Sequence, residues 1–280
     1  MAGSDRRQSV IGQQGRLRSR PVYRDPMQFD GLHAVADYAA LYTSLRQSAF
    51  VDLLRERLGA FDVRCAEDNR TAVFARSGTD SDSTRDEATF VRLRASLVAV
   101  LEPSAIIWGW AHPCGDHTGP ASRLREAGAR LGIEDLTSPR VTLPPKPSHD
   151  ADDPGDRVLD VIAAAAVGST GVSPYCTVRL DDDDRGVFLL DDVTLPEPTF
   201  ADFATRMPEV LSSLAVNDHR VAIHGMAARR GWHISWRTGT DRGRSPICDV
   251  TDGRSVVRVN FDRRGRPVDY RCELADADRD

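Results

Sequence analysis

The residues best equipped for chemistry lie together in His112-Pro113-Cys114-Gly115-Asp116-His117, which gathers two imidazoles, a thiol and a carboxylate within one short segment. His112, Cys114 and His117 are metal-ligand types, with Asp116 as a fourth ligand or as a hydrogen-bond partner behind the ligands. Their spacing matches no standard zinc arrangement, and the sequence offers no second ligand cluster. A second chemistry is nucleophilic: a Cys114 thiolate beside an imidazole and a helix N-terminus would be stabilised. That reading lacks an identifiable Asn or Asp to orient the imidazole. A plain turn held by Pro113 and Gly115 accounts for the same residues. No catalytic residue, metal or cofactor is therefore assigned, and His112, Cys114, Asp116 and His117 remain the candidates.

Three further groups invite chemistry. The acidic run Asp181 to Asp184, with Asp191 and Asp192, suggests calcium, yet it lacks the alternating oxygen ligands, central Gly and terminal Glu of an EF-hand. It reads as a solvated hairpin tip. Trp232 and Trp236 share one strand face and could stack bases, with Arg229, Arg230, Arg242 and Arg244 nearby to meet phosphates. Packing of both tryptophans against a helix at 200–214 explains them more simply. His219 and His224 have no visible catalytic partner. Gly-rich phosphate loops, Gly-x-Ser-x-Gly elbows and His-Glu-x-x-His pairs do not occur, which removes common enzyme classes.

The elements that position these residues follow from periodicity. Apolar residues from Leu32 to Leu58 recur at three and four, giving one long helix or two joined near Ser48, ended by Gly59. A hairpin runs from Phe61 to Ala75 through a turn at Asp68-Asn69, followed by a polar insertion at 76–87. Val91 to Ala99 alternates as a strand with one wet face. Ile106 to Ala111 is apolar on both faces and is expected to lie deeper in the sheet than its predecessor. Pro120 to Leu131 is a helix closed by Gly132. Residues 137–156 form a Pro-rich extended connector, then a helix begins near Arg157 and two strands follow, Tyr175 to Leu180 and Val187 to Leu190. After Pro196-Glu197-Pro198 come a helix over Phe200 to Leu214 and strands at Val221 to Met226, Trp232 to Trp236, Ile247 to Val250, Val257 to Phe261 and Val268 to Cys272.

Length and composition suit a cored protein of one or two domains: 280 residues, 40% hydrophobic and 28% charged. No apolar run approaches the roughly 20 residues that span a bilayer, and no apolar segment follows the N-terminal arginines as a secretory signal requires. Five scattered cysteines without a Cys-x-x-Cys pair are expected to stay reduced, so the expected compartment is the cytoplasm. Charge is segregated. Residues 1–24 hold six Arg against one Asp and residues 219–273 twelve Arg against six acids, whereas residues 25–218 are net −14. Docking of the oppositely charged parts, or plain solubility, accounts for this better than nucleic-acid binding, since no nucleic-acid motif accompanies the arginines.

With the tryptophan strand in place, the chain resembles a family of uncharacterised actinobacterial proteins, a domain of unknown function with a Trp-x-Trp-Ala-Asn-Pro-like strand end. Here that element is Trp108-Gly109-Trp110-Ala111-His112-Pro113. The helix ending Ser48-Ala49-Phe50-Val51-Asp52-Leu53-Leu54, the Phe61 to Ala75 hairpin, the Leu124-Arg125-Glu126-Ala127-Gly128 helix and the Tyr175 to Leu190 hairpin are similar too. The likeness covers residues 30–195 and departs at His112, where Asn is usual, which argues against that histidine as a family-wide catalyst. The resemblance implies a fold and a compartment, with no activity to carry over.

The expected molecule is α+β, with helices packed on antiparallel sheets in two units. It has a disordered basic arm (1–28), a principal domain (29–195), a helix-plus-meander domain (196–273) and a tail (274–280). The expected function is non-catalytic protein binding or regulation, with another protein as partner and neither nucleic acid nor membrane engaged. The alternatives are a hydrolase or metal-dependent enzyme using the His112 to His117 loop, and nucleic-acid binding through the arm and the C-terminal arginines.

Overall fold

The computed structural model describes residues 11–16, 30–66, 69–78, 89–143, 154–181, 183–239 and 245–275. The chain divides into two compact units, Arg24–Glu197 with Leu214–Asn217, and Met1–Tyr23 with Pro198–Ser213 and Asp218–Asp280. Each combines helices with an antiparallel sheet, an α+β architecture. Strand β1 (Ile11–Arg16) belongs to the second unit.

The first unit opens with helix α1 (Asp30–Leu58), which buries Leu32, Ala36, Ala39, Thr43, Arg46, Phe50, Leu54 and Leu58 at helical spacing. It is one helix: the Ser48 hydroxyl donates to the Ser44 carbonyl within it and does not break it. Gly59, at φ 76°, ends it and donates its N–H to the Arg55 carbonyl. Strands β2 (Phe61–Cys65) and β3 (Thr71–Arg76) pair antiparallel, with Asn69 at φ 52° in the connection. The expected insertion at 76–87 falls outside the described residues from 79 onward.

Strand β4 (Phe90–Glu102) turns at Pro103-Ser104 into β5 (Ala105–Trp108). Helices α2 (Pro120–Leu131) and α3 (Glu134–Thr137), strand β6 (Arg140–Thr142), helix α4 (Pro154–Thr170) and strands β7 (Tyr175–Arg179) and β8 (Arg185–Leu190) complete the unit. The first half of β4 pairs β3, and Ala99 has Trp108 of β5 on one side and Val187 of β8 on the other. Residues Leu97 to Leu101 are all buried. The most interior strand is thus β4, which corrects the expectation that the tryptophan strand lies deeper than its predecessor. β5 is also shorter than expected, because the Ala111 and His112 N–H groups bond back to the Trp108 carbonyl at 2.9 and 3.0 Å and the chain turns there.

The connector expected at 137–156 is partly regular. Arg140–Thr142 pairs with β5 as β6, and α4 takes up Pro154 to Asp156, with Pro154 at the first helical position, where its missing N–H costs nothing. Against α1, α4 packs closely: a Cβ on Gly168 would lie 2.8 Å from the Ala39 Cβ. Beneath the sheet, Phe50, Leu54, Phe74, Leu97, Val100 and Phe188 form one apolar cluster, and each buried Phe contributes about 1.5 to 3 kcal/mol.

Two charged side chains of α1, Arg46 and Asp37, are buried in this unit. Arg46, 7% exposed, donates from Nε to the Ser173 hydroxyl at 3.1 Å and from its guanidinium to the Leu195 and Pro196 carbonyls at 2.8 and 3.0 Å. Glu197 lies 3.5 Å from it and accepts the Tyr42 hydroxyl at 3.0 Å. Nearer the start of α1, Asp37 accepts the Asn217 N–H at 2.9 Å and pairs with His33. So α1 fixes both segments at the unit's chain exits.

The second unit contains α5 (Phe200–Ser213). Thr199 and Asp202 cap it reciprocally, each side chain accepting the other's backbone N–H. Helix α6 (His219–Arg230) replaces the strand expected at Val221 to Met226. Its buried residues Ala222, Ile223, Met226 and Ala227 follow the helical period, Asp218 caps its start and Gly231 closes it in the left-handed region. Strands β9 (His233–Thr238), β10 (Pro246–Thr251), β11 (Val256–Phe261) and β12 (Pro267–Leu274) form an antiparallel meander, with order β1-β12-β11-β10-β9. The expected irregular arm at 1–28 therefore contains a sheet strand: edge pairing with β12 satisfies backbone groups even in a polar segment. Residues 1–10 and 17–29, and the tail from 276, lie outside the described residues.

Candidate functional site

The His112 to His117 loop is built by close backbone contact. A Cβ on Gly115 would collide with the Gly109 carbonyl oxygen, and one on Gly109 would collide with the Leu97 carbonyl oxygen. Glycine is required at both positions, and the loop is pressed back onto the end of β5. Trp108 anchors it from inside: fully buried, its indole N–H donates to the Asp135 carbonyl at 2.8 Å.

The candidate side chains serve the loop's own geometry. His112 Nδ1 accepts the Cys114 N–H at 3.2 Å. His117 Nδ1 lies 3.0 Å from the Trp110 carbonyl, a contact that requires the proton on Nδ1. Asp116 Oδ1 accepts both the N–H and the hydroxyl of Thr118, each at 2.8 Å, an Asx turn leading into α2. Those two bonds, with the Arg70 and His117 charges adding to them, hold the Asp116 carboxyl below its ordinary range. The Ser122 hydroxyl donates to the His117 carbonyl at 2.5 Å. Pro113, Cys114, Asp116, His117 and Thr118 are exposed.

Sequence reasoning missed several of these struts. Arg125 on α2 stacks its guanidinium 4.3 Å from the centre of the Trp110 ring. The Asp-x-Thr spacing of Asp116 and Thr118 is a readable turn signal. Nothing in the sequence marks the Trp110 carbonyl as the partner of His117.

The other candidates disperse. Asp181, Asp183 and Asp184 line an open concavity with Arg179 at the β7–β8 turn, and Asp182 lies outside the described residues. Burial and the neighbouring Glu102, Asp181 and Asp183 raise the Asp184 carboxyl above its usual range, while the nearby His112 opposes this. Asp191 accepts the Ser96 hydroxyl at 3.0 Å at the far end of β8, about 20 Å away by strand rise. Among the described residues, no three His, Cys, Asp or Glu side chains converge as a metal site.

Trp232 packs on Phe200 and Phe203 of α5, with ring centres 5.0 and 5.3 Å apart, which sets it against the helix as its spacing suggests. Trp236 does not join it there. It is 41% exposed and tilts against Phe261 at 5.7 Å, a correction to the expected packing on the 200–214 helix. His219 is buried with Nε2 3.1 Å from the Leu211 carbonyl, and His224 is exposed on α6. Cys114 is an exposed thiol, whereas burial pushes the Cys248 thiol up to about 12 and raises the Cys176 thiol as well. Arg242 and Arg244 fall outside the described residues. Among the described residues, no helix is long and apolar enough to cross a membrane.

Comparison with curated proteins and with solved structures gives no match. The profile of one family does match, over residues 33–193, which spans all of the first unit's sheet and the candidate loop. More than half of the chain is covered, and the chain belongs to this family of unknown function, DUF6882.

Proposed function

We propose that the protein is a non-catalytic, cytoplasmic protein-binding or regulatory module. The observation that carries this reading is the use made of the candidate side chains. His112, Asp116 and His117 each hold a neighbouring backbone or hydroxyl group of their own loop. Those bonds use Nδ1 of each ring and Oδ1 of Asp116, and among the described residues no three His, Cys, Asp or Glu side chains converge on one point as a metal site needs. What the loop presents instead is an exposed ridge, Pro113 to Thr118, on a buried support. A preorganised ridge suits recognition, because little conformational entropy is lost when a partner binds it.

The test is a pair of variants, His112→Ala and His117→Ala, compared with the parent for fold, bound metal and complexes formed. The fold and the partner complexes are expected to persist with only small changes, because each variant removes one strut and leaves the backbone set by Gly109 and Gly115 in place. Loss of a bound metal, or of a measured hydrolytic turnover, in both variants would replace this function with the metal-dependent or hydrolase reading.

A further inference from the structure

The sheet of the second unit has an open edge at β9. Its one sheet partner among the described residues is β10, and His233, Ser235, Trp236, Arg237 and Thr238 are all exposed. Natural sheets blunt such edges with prolines, bulges or charged side chains. On β9 only the last device is present, in Arg237: the strand has no proline, and its register with β10 runs unbroken from Pro246–Thr238 to Thr251–His233.

The two faces of this edge differ. On one, Val259, Cys248 and Trp236 stand opposite each other across β11, β10 and β9. Val259 and Cys248 are fully buried, so this apolar row runs out of the core and ends on a half-open tryptophan. On the other face, Asp249 is shared between Arg258 at 2.6 Å and Arg237 at 3.3 Å. Burial alone would disfavour the Asp249 charge, but these two guanidiniums hold its carboxyl below the ordinary range. β9 itself carries His233 and Arg237 and no acid.

We propose that β9 accepts an extended acidic segment of a partner protein as a sixth strand of this sheet. Carboxylates of that segment lie over Arg237 and His233, and its alternate apolar side chains cover Trp236. The proposal rests on the protein-binding reading above and adds a second surface with a stated partner chemistry. A second copy of the chain fits less well: antiparallel self-pairing centred on Ser235 sets His233 against Arg237 of the copy, with no acid to meet either. Nucleic acid gains nothing from an open backbone edge, and its phosphates would approach Asp249.

The experiment uses the full chain and two end-blocked, labelled hexapeptides, one alternating Glu and Val and the other Lys and Val. Binding is followed by fluorescence anisotropy and by amide hydrogen exchange. The Glu-Val peptide is expected to bind and to slow exchange in β9, and the Lys-Val peptide to do neither. Arg237→Glu is expected to weaken binding about tenfold, because it removes an attraction and adds a repulsion. Arg237→Gln, which spares Asp249 a new like charge, should weaken it less, and unchanged exchange in β11 reports an intact fold in both. The proposal is overturned if β9 stays unprotected at millimolar peptide, or if the Lys-Val peptide binds equally well. It is equally overturned if β9 is protected by raising the protein concentration alone, or by oligothymidylate and not by peptide. A protein complex that forms while β9 stays unprotected, both by that partner and by the Glu-Val peptide, overturns the edge proposal while leaving the protein-binding reading intact. Absence of both peptide and protein binding overturns the two together.

Discussion

At the scale of single residues, the candidate loop is a piece of fitted backbone whose polar side chains act as struts. Gly115 has no room for a methyl group, since the obstacle is the Gly109 carbonyl and not a side chain that could swing away. Gly115→Ala should therefore lower stability by at least about 2 kcal/mol, which is in the range of overpacked sites, and a denaturant titration measures it. His112→Ala and His117→Ala remove one exposed hydrogen bond each and should cost about 1 kcal/mol or less. If the histidine variants unfolded the domain while Gly115→Ala did not, the loop's support would have been misassigned. The residue types in this loop are legible from the sequence, but their roles are not. Which atoms His117 meets depends on a chain reversal set by Gly109 and Gly115, and that contact is a property of folded backbone.

At the scale of elements, the long helix α1 carries both the core and the chain exits. Arg46→Ala would leave the Leu195 and Pro196 carbonyls and the Ser173 hydroxyl without their donor. A loss of about 2 to 4 kcal/mol is expected, as for other broken buried charge networks. Phe188→Ala, within the apolar cluster, should cost about 3 to 5 kcal/mol. Thermal and urea unfolding check both, and a neutral result for Arg46→Ala would contradict the role given to α1. Long periodic elements such as α1 and α2 are readable because burial repeats along them, and glycines mark their ends. The segment Val221 to Met226 misleads because a short run of apolar residues satisfies a strand pattern, and the Asp218 cap and Gly231 stop that settle it lie outside the run. β4 and β5 exchange places for a different reason: pairing on both sides of β4 is decided by β8, which lies far along the chain.

At the scale of the whole molecule, charge separates along the sequence, and several aspartates in the second unit are held in their ionised form. Burial resists the charge on Asp218, Asp249 and Asp262, yet hydrogen bonds from Arg220, from Arg258 and Arg237, and from the Arg266 and Arg264 segment leave each with a lowered pKa. A carboxyl more acidic in the folded state adds stability above its unfolded pKa of about 4, and that contribution disappears as the pH falls through the folded value. The urea midpoint of this unit should accordingly fall on acidification below about pH 4, and Asp249→Asn should flatten the fall. A profile unchanged by Asp249→Asn would remove the Arg237–Asp249–Arg258 ladder from the sources of stability. The proposal of a protein-binding module without catalytic chemistry is tested most directly by native mass spectrometry of the protein isolated from its own cells. The expected spectrum shows the chain in a stoichiometric complex with another protein, retained by His112→Ala and His117→Ala. A chain that carries only a metal ion or a small molecule, released in those two variants, would contradict it.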